Sequence, residues 1–81
     1  MTYTVYSKPN CPQCDRAKAL IKSKGLTYNE IIFDVGQPKV DGVQYIAVAD
    51  FKAKYPDAAS APQIFVGEER IGGLPDLMKV L

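Results

Sequence analysis

The chain has 81 residues, 47% apolar and 23% charged, which suits one small globular domain and excludes a chain too polar to fold. A net charge of +1 provides no overall attraction for nucleic acid. No run approaches the ~20 apolar residues that a membrane span requires.

The stretch from Met1 to Lys8 lacks the charged start and apolar core of a secretory leader, so a cytoplasmic chain is expected; the further expectation is one domain over residues 1–81, as a monomer. Thr2 to Tyr6 is β-branched and aromatic and reads as a strand. Ser7-Lys8-Pro9-Asn10 forms a turn. Pro12 suits the first turn of a helix that continues through Asp15-Arg16-Ala17-Lys18-Ala19-Leu20-Ile21-Lys22 and stops near Gly25. Tyr28 to Phe33 ends in Ile31-Ile32-Phe33, the continuous apolar run of a strand covered on both faces. Strand, helix and strand in this order make a right-handed βαβ unit.

Asp34 to Gly42 holds Gly36, Pro38 and Gly42 and reads as a loop. The spacing of Val48, Phe51 and Tyr55 predicts the inner stripe of a second helix from Gln44 to Lys54, ended by Pro56. A loop follows over residues 57–61. Pro62 to Val66 and Arg70-Ile71 flank the turn Gly67-Glu68-Glu69 and predict a hairpin. Leu74, Leu77, Met78 and Leu81 make the apolar stripe of a last helix. The order β-α-β-α-β-β-α predicts an α/β fold with a four-stranded mixed sheet flanked by helices.

Charge is uneven along the chain. Residues 1–25 carry Lys8, Arg16, Lys18, Lys22 and Lys24 against Asp15 alone, a balance of +4. The remainder carries five basic residues against eight acids, a balance of −3. Lys22 and Lys24 suit the solvated face of the first helix, whereas Lys8 precedes the chemically interesting motif.

That motif is Cys11-Pro12-Gln13-Cys14, which follows a strand and opens a helix. A tetrahedral zinc site needs four ligands, and the chain has no further cysteine and no histidine. The missing histidine also excludes Cys-His and Ser-His nucleophile pairs. The spacing beside a βαβ pattern reads as a redox pair. Cys11 at the helix N-terminus meets unpaired N–H groups and the positive end of the helix dipole, which favour a thiolate. Lys8 and Arg16 add to this, and Asp15 opposes it. Cys14 shares a helical stripe with Ala17 and Ile21, so Cys14 is expected to be buried and Cys11 exposed. Cys11 is then the attacking thiolate and Cys14 the resolving thiol.

Cys-Pro-x-Cys after a first strand, Pro62-Gln63-Ile64-Phe65-Val66, and Gly72-Gly73 before Asp76-Leu77 together resemble glutaredoxin. The resemblance covers nearly the whole chain and implies a thioredoxin-like fold. It implies a dithiol oxidoreductase that reduces protein disulfides and glutathione mixed disulfides, uses glutathione as reductant and holds no bound cofactor or metal. Ribonucleotide reductase is an implied client; membranes and nucleic acid are not implied partners. Cys11 would carry the mixed disulfide with glutathione. Lys8 would meet its glycine carboxylate, and Gln13 takes the place usually held by Tyr. The backbone of Ala61, before a cis Pro62, would pair with the bound peptide. Gly73, Leu74 and Asp76 would hold the γ-glutamyl end.

Two positions depart from the pattern. Pro75 stands where Ser, Thr or Asp is usual and has no N–H to donate. Gln13 and the Pro75-Asp76 pair resemble NrdH-type redoxins, which take electrons from thioredoxin reductase. A third alternative, an iron–sulfur cluster bridged between two chains, is disfavoured by Pro12.

Overall fold

The computed structural model describes residues 2–58 and 60–81; Met1 of the leader reading and Ala59 of the predicted 57–61 loop lie outside the described residues. The elements are β1 (Tyr3–Ser7), α1 (Pro12–Ser23), β2 (Tyr28–Asp34), β3 (Gln44–Ala47), α2 (Val48–Lys54), β4 (Gln63–Val66), β5 (Glu69–Gly72) and α3 (Leu74–Val80). The sheet runs in the order β3-β2-β1-β4-β5. Strands β1, β2 and β3 pair in parallel, and β4 joins β1 and β5 antiparallel. Among the described residues no helix is long and apolar enough to cross a membrane.

The sheet therefore has five strands, not the four expected. Gln44 to Ala47 is an edge strand rather than the start of the second helix. Its Tyr45 and Ile46 lie opposite Ile32 and Phe33, where ladder bonds and packing outweigh the weak helical periodicity of those four residues. The helix begins only at Val48. The loop before β3 is closed by its own contacts. Gln37 accepts from the Val35 N–H at 2.8 Å and donates to the Phe33 carbonyl at 3.0 Å. Lys39 pairs with Asp34 at 3.0 Å, and the Tyr45 hydroxyl accepts from the Val40 N–H at 2.9 Å.

Alternation along the strands separates two apolar layers. Tyr3, Val5 and Ile64 pack with Ala17, Ile21 and Leu77 under α1 and α3. Phe33 and Phe65 pack with Phe51 and Ala58 on the α2 side, with Tyr6 and Tyr55 completing an aromatic cluster. Ile21, Ile64 and Leu77 are fully buried, each contributing about 1.5–3 kcal/mol of burial. Two expected core positions turn outward. Met78 is 64% exposed and Val48 is 37% exposed, because two seven-residue helices each seat a single buried residue, Leu77 and Phe51.

Candidate functional site

The end of β1 delivers the chain through Pro9 and Asn10 to the start of α1. Asn10 adopts φ 55°, a left-handed conformation that Asn tolerates better than most residues. Cys11 then caps α1 with extended backbone, and Pro12 occupies the first turn, where no N–H is needed. The two cysteines form a disulfide with their Cα atoms 5.2 Å apart. The Cys14 N–H donates to the Cys11 sulfur at 3.1 Å. That donor and the dipole of α1 act on the same atom, and both favour negative charge there.

Cys14 faces the sheet with Ala17 and Ile21, as its stripe predicts. Cys11 is more accessible than Cys14, 8% against 1%, but it is not the exposed residue expected. The reason lies across the chain. The peptide bond between Ala61 and Pro62 is cis, and the Ala61 carbonyl oxygen lies 3.9 Å from the Cys11 sulfur. Pro62 is fully buried, so its backbone is held firmly against the disulfide.

Three cavities surround this point. An apolar cavity of about 180 Å³ includes Lys8, Phe51 and Ala61. A polar cavity of about 410 Å³ includes Arg70, Gly73, Pro75 and Asp76. Ala58 and Ser60 line both. A third cavity of about 330 Å³ includes Lys8, Cys11, Lys18 and Glu30. Thus the structure brings Lys8, Cys11 and Ala61 together, and gathers Gly73 and Asp76 on the far side of Ala58 and Ser60. Gln13 is exposed and lines none of the three cavities. The Leu74 side chain packs on the apolar core, leaving its backbone for any ligand. Asp76 has a role inside the fold: its carboxylate accepts from the Gly73 N–H at 3.1 Å and caps α3.

Sequence reasoning missed two polar networks. Beneath the cysteine loop, Glu30 accepts from the Ser7 hydroxyl at 2.7 Å and from the Lys18 ammonium at 2.7 Å, and Lys18 also lies 3.6 Å from Asp15. Burial opposes the charge on Glu30, but the bonds from Lys18 and Ser7 outweigh it and hold the carboxyl below its ordinary value. Burial also opposes the charge on Lys18, and its bond to Glu30 reverses the balance and raises its pKa. The second network joins Arg70 to Asp57, to Gln63 at 3.4 Å, and to the face of Tyr55 at 5.3 Å. Gln63 in turn donates to the Ser60 carbonyl at 2.7 Å. The hydrogen bond from Arg70 lowers the pKa of Asp57. The available signals were Ser7 at a buried position of β1 and an acid within the apolar β2; no local spacing links residues 57, 63 and 70.

The glutaredoxin family model matches residues 3–71. Glutaredoxin 3 of Escherichia coli K12 is 36% identical over 73 residues, 90% of this chain and 77% of that protein. Glutaredoxin of Pseudomonas aeruginosa is 34% identical over 73 residues, 90% of this chain and 76% of that protein. The solution structure of glutaredoxin from Brucella melitensis superposes with a TM-score of 0.68 at 32% identity, covering 99% of this chain and 77% of that one. Glutaredoxin 1 from Francisella tularensis, complexed with cacodylate, superposes with a TM-score of 0.64 over 96% of this chain and 88% of that one; at 21% identity it speaks for the shared thioredoxin-like fold.

Proposed function

The chain belongs to the glutaredoxin family and is a thiol–disulfide oxidoreductase; on that premise we propose that it is a cytoplasmic, one-domain dithiol glutaredoxin recharged by glutathione. The observation that carries this reading is the placement of the Cys11 sulfur, which accepts the Cys14 N–H at 3.1 Å and lies 3.9 Å from the Ala61 carbonyl. A substrate sulfur approaching Cys11 therefore meets the Ala61 backbone carbonyl beside the nucleophile.

In the reduced protein the Cys11 thiolate attacks one sulfur of a substrate disulfide. A Cys11–substrate disulfide forms and the other substrate sulfur leaves as a thiolate, which takes a proton from water. Cys14, deprotonated, then attacks the Cys11 sulfur, closes the internal disulfide and releases the second substrate thiol. Two electrons pass to the substrate. One glutathione thiolate reopens the internal disulfide as a Cys11–glutathione mixed disulfide, and a second removes the first as glutathione disulfide. Lys8 receives the glycine carboxylate, the Ala61 backbone pairs with the cysteinyl unit, and the Gly73–Asp76 segment receives the γ-glutamyl end. Gln13 and Leu74 contribute backbone or edge contacts only. Protein disulfides, including that of a ribonucleotide reductase, are the client class.

The test is NADPH consumption on a small disulfide in two arms. One arm holds glutathione and glutathione reductase, and the other holds thioredoxin reductase alone. Turnover in the first arm, abolished by Cys11→Ser, is expected. Cys14→Ser is expected to retain reduction of glutathione mixed disulfides and to lose reduction of protein disulfides. Turnover in the second arm alone would overturn the glutathione assignment and favour the NrdH-type alternative, for which Gln13 and Pro75, the latter in the polar cavity, are the telling residues.

A further inference from the structure

An apolar cavity lies beside Ala61. Phe33 and Phe51 form its buried part, 8% and 3% exposed, while Val35 and Val48 are 59% and 37% exposed at its lip. Lys8 and Lys52 also line it, and among the described residues neither pairs with a carboxylate. At about 180 Å³ it is comparable to an apolar protein cavity of roughly 150 Å³ that accepts benzene, so it has room for one large side chain. Glutathione has glycine after its cysteine, and glycine presents no side chain to it.

We propose that this cavity is a specificity pocket for protein clients, taking the Leu-, Met- or Phe-sized side chain that follows the client's reactive cysteine, with an acidic residue next in sequence meeting Lys8 and Lys52. The direction of the client rests on the reading above, in which the segment after the substrate cysteine runs from Ala61 toward Lys8. Charge complementarity selects the acid, since two unpaired ammonium groups flank an apolar wall and would repel a basic segment. Desolvation of Val35 and Val48 accompanies occupancy and provides the gain.

The experiment uses reduced protein in single turnover against two symmetrical peptide disulfides. Each peptide chain is capped Ala-Cys-Leu-Glu or capped Ala-Cys-Gly-Glu, and each rate is divided by that of free dithiothreitol on the same peptide. A preference of about tenfold or more for the leucine peptide is expected, the range for an apolar group in a fitted pocket. Val48→Asp, on the lip, is expected to cut the preference to about twofold or less. Val35→Asp, also at the lip and more exposed, repeats the test if the first variant loses its far-ultraviolet circular dichroism. A wild-type ratio near one, or a ratio unchanged in the folded lip variants, would overturn the proposal. A ratio near one with normal turnover of a glutathione mixed disulfide removes the pocket and leaves the oxidoreductase reading intact. A leucine preference without glutathione turnover supports the pocket and removes the glutathione reading; no reduction of either peptide removes the pocket, and removes the glutathione reading too only where a glutathione mixed disulfide is also left unreduced.

Discussion

Glu30→Gln isolates the charge of the network beneath the cysteine loop. The amide keeps the shape and an acceptor oxygen, so only ionisation is lost. Glu30 accepts two bonds of 2.7 Å, from Ser7, which is 2% exposed, and from Lys18. A hydrogen bond to a charged group contributes about 1.5–3 kcal/mol and a neutral one about 0.5–1.5 kcal/mol, so losing the charge costs about 1 kcal/mol per bond. The side chains of Lys18 and Glu30 are 22% and 30% exposed, so water screens part of the ion pair. A net loss of about 1–2 kcal/mol at pH 7 remains. For a domain of this size that lowers Tm by roughly 4–16 °C. The sign with pH follows from the lowered pKa of Glu30. A carboxyl whose pKa falls on folding adds stability above its unfolded value and loses it as pH falls through its folded value. The gap between wild type and Glu30→Gln is therefore full at pH 7 and narrows below about pH 4. Lys18 moves the opposite way: its raised pKa means its contribution is present below the ordinary lysine value and fades only in strong alkali. Urea titrations of both oxidised proteins, followed by circular dichroism from pH 7 to pH 2, measure the gap. Asp34 and Asp57 titrate over a similar acid range but are common to both proteins and cancel in the difference. Equal stability at pH 7, or a gap that stays constant down to pH 2, would refute the reasoning.

Phe51→Ala is expected to cost about 3–5 kcal/mol, since Phe51 alone anchors α2 and its ring lies 4.8 to 5.1 Å from those of Tyr6, Phe33 and Tyr55; a thermal melt showing less than about 1 kcal/mol would mean that the aromatic layer can collapse around the gap. Gly72→Ala is expected to destabilise the hairpin exit, because Gly72 has φ 118° and an added Cβ would overlap the Asp76 carboxylate that caps α3. Unchanged hydrogen-exchange protection at Leu77 would contradict this. Pro75→Ser restores an N–H in the polar cavity and is expected to lower the glutathione Michaelis constant roughly fivefold, the equivalent of about 1 kcal/mol. No change would show that the γ-glutamyl end does not use that position.

Local pattern sufficed for much of this protein. The Cys14, Ala17 and Ile21 stripe, the break at Pro9-Asn10 and the Pro12 start of α1 are short-range effects, legible from spacing and from two or three residue types. They place the redox pair at a helix N-terminus before any long-range contact is considered. Periodicity was weakest where elements are shortest. Four residues, Gln44 to Ala47, carry too little pattern to separate strand from helix, and the ladder to β2 decides it. Val48 and Met78 match an apolar stripe but lie exposed, because periodicity cannot tell how far a neighbouring layer extends over a helix of two turns. The accessibility of Cys11 depends on the cis Ala61–Pro62 backbone, 50 residues away in sequence. The Glu30 network needs β1, α1 and β2 to converge, and the Arg70 network needs the turn before β4 to meet β5. Which atoms can do chemistry was legible in the chain, since that depends on residue type and local backbone. What surrounds those atoms was not, because an edge strand, two ion networks and an apolar pocket beside Ala61 all arise from contacts between segments that no local interaction joins.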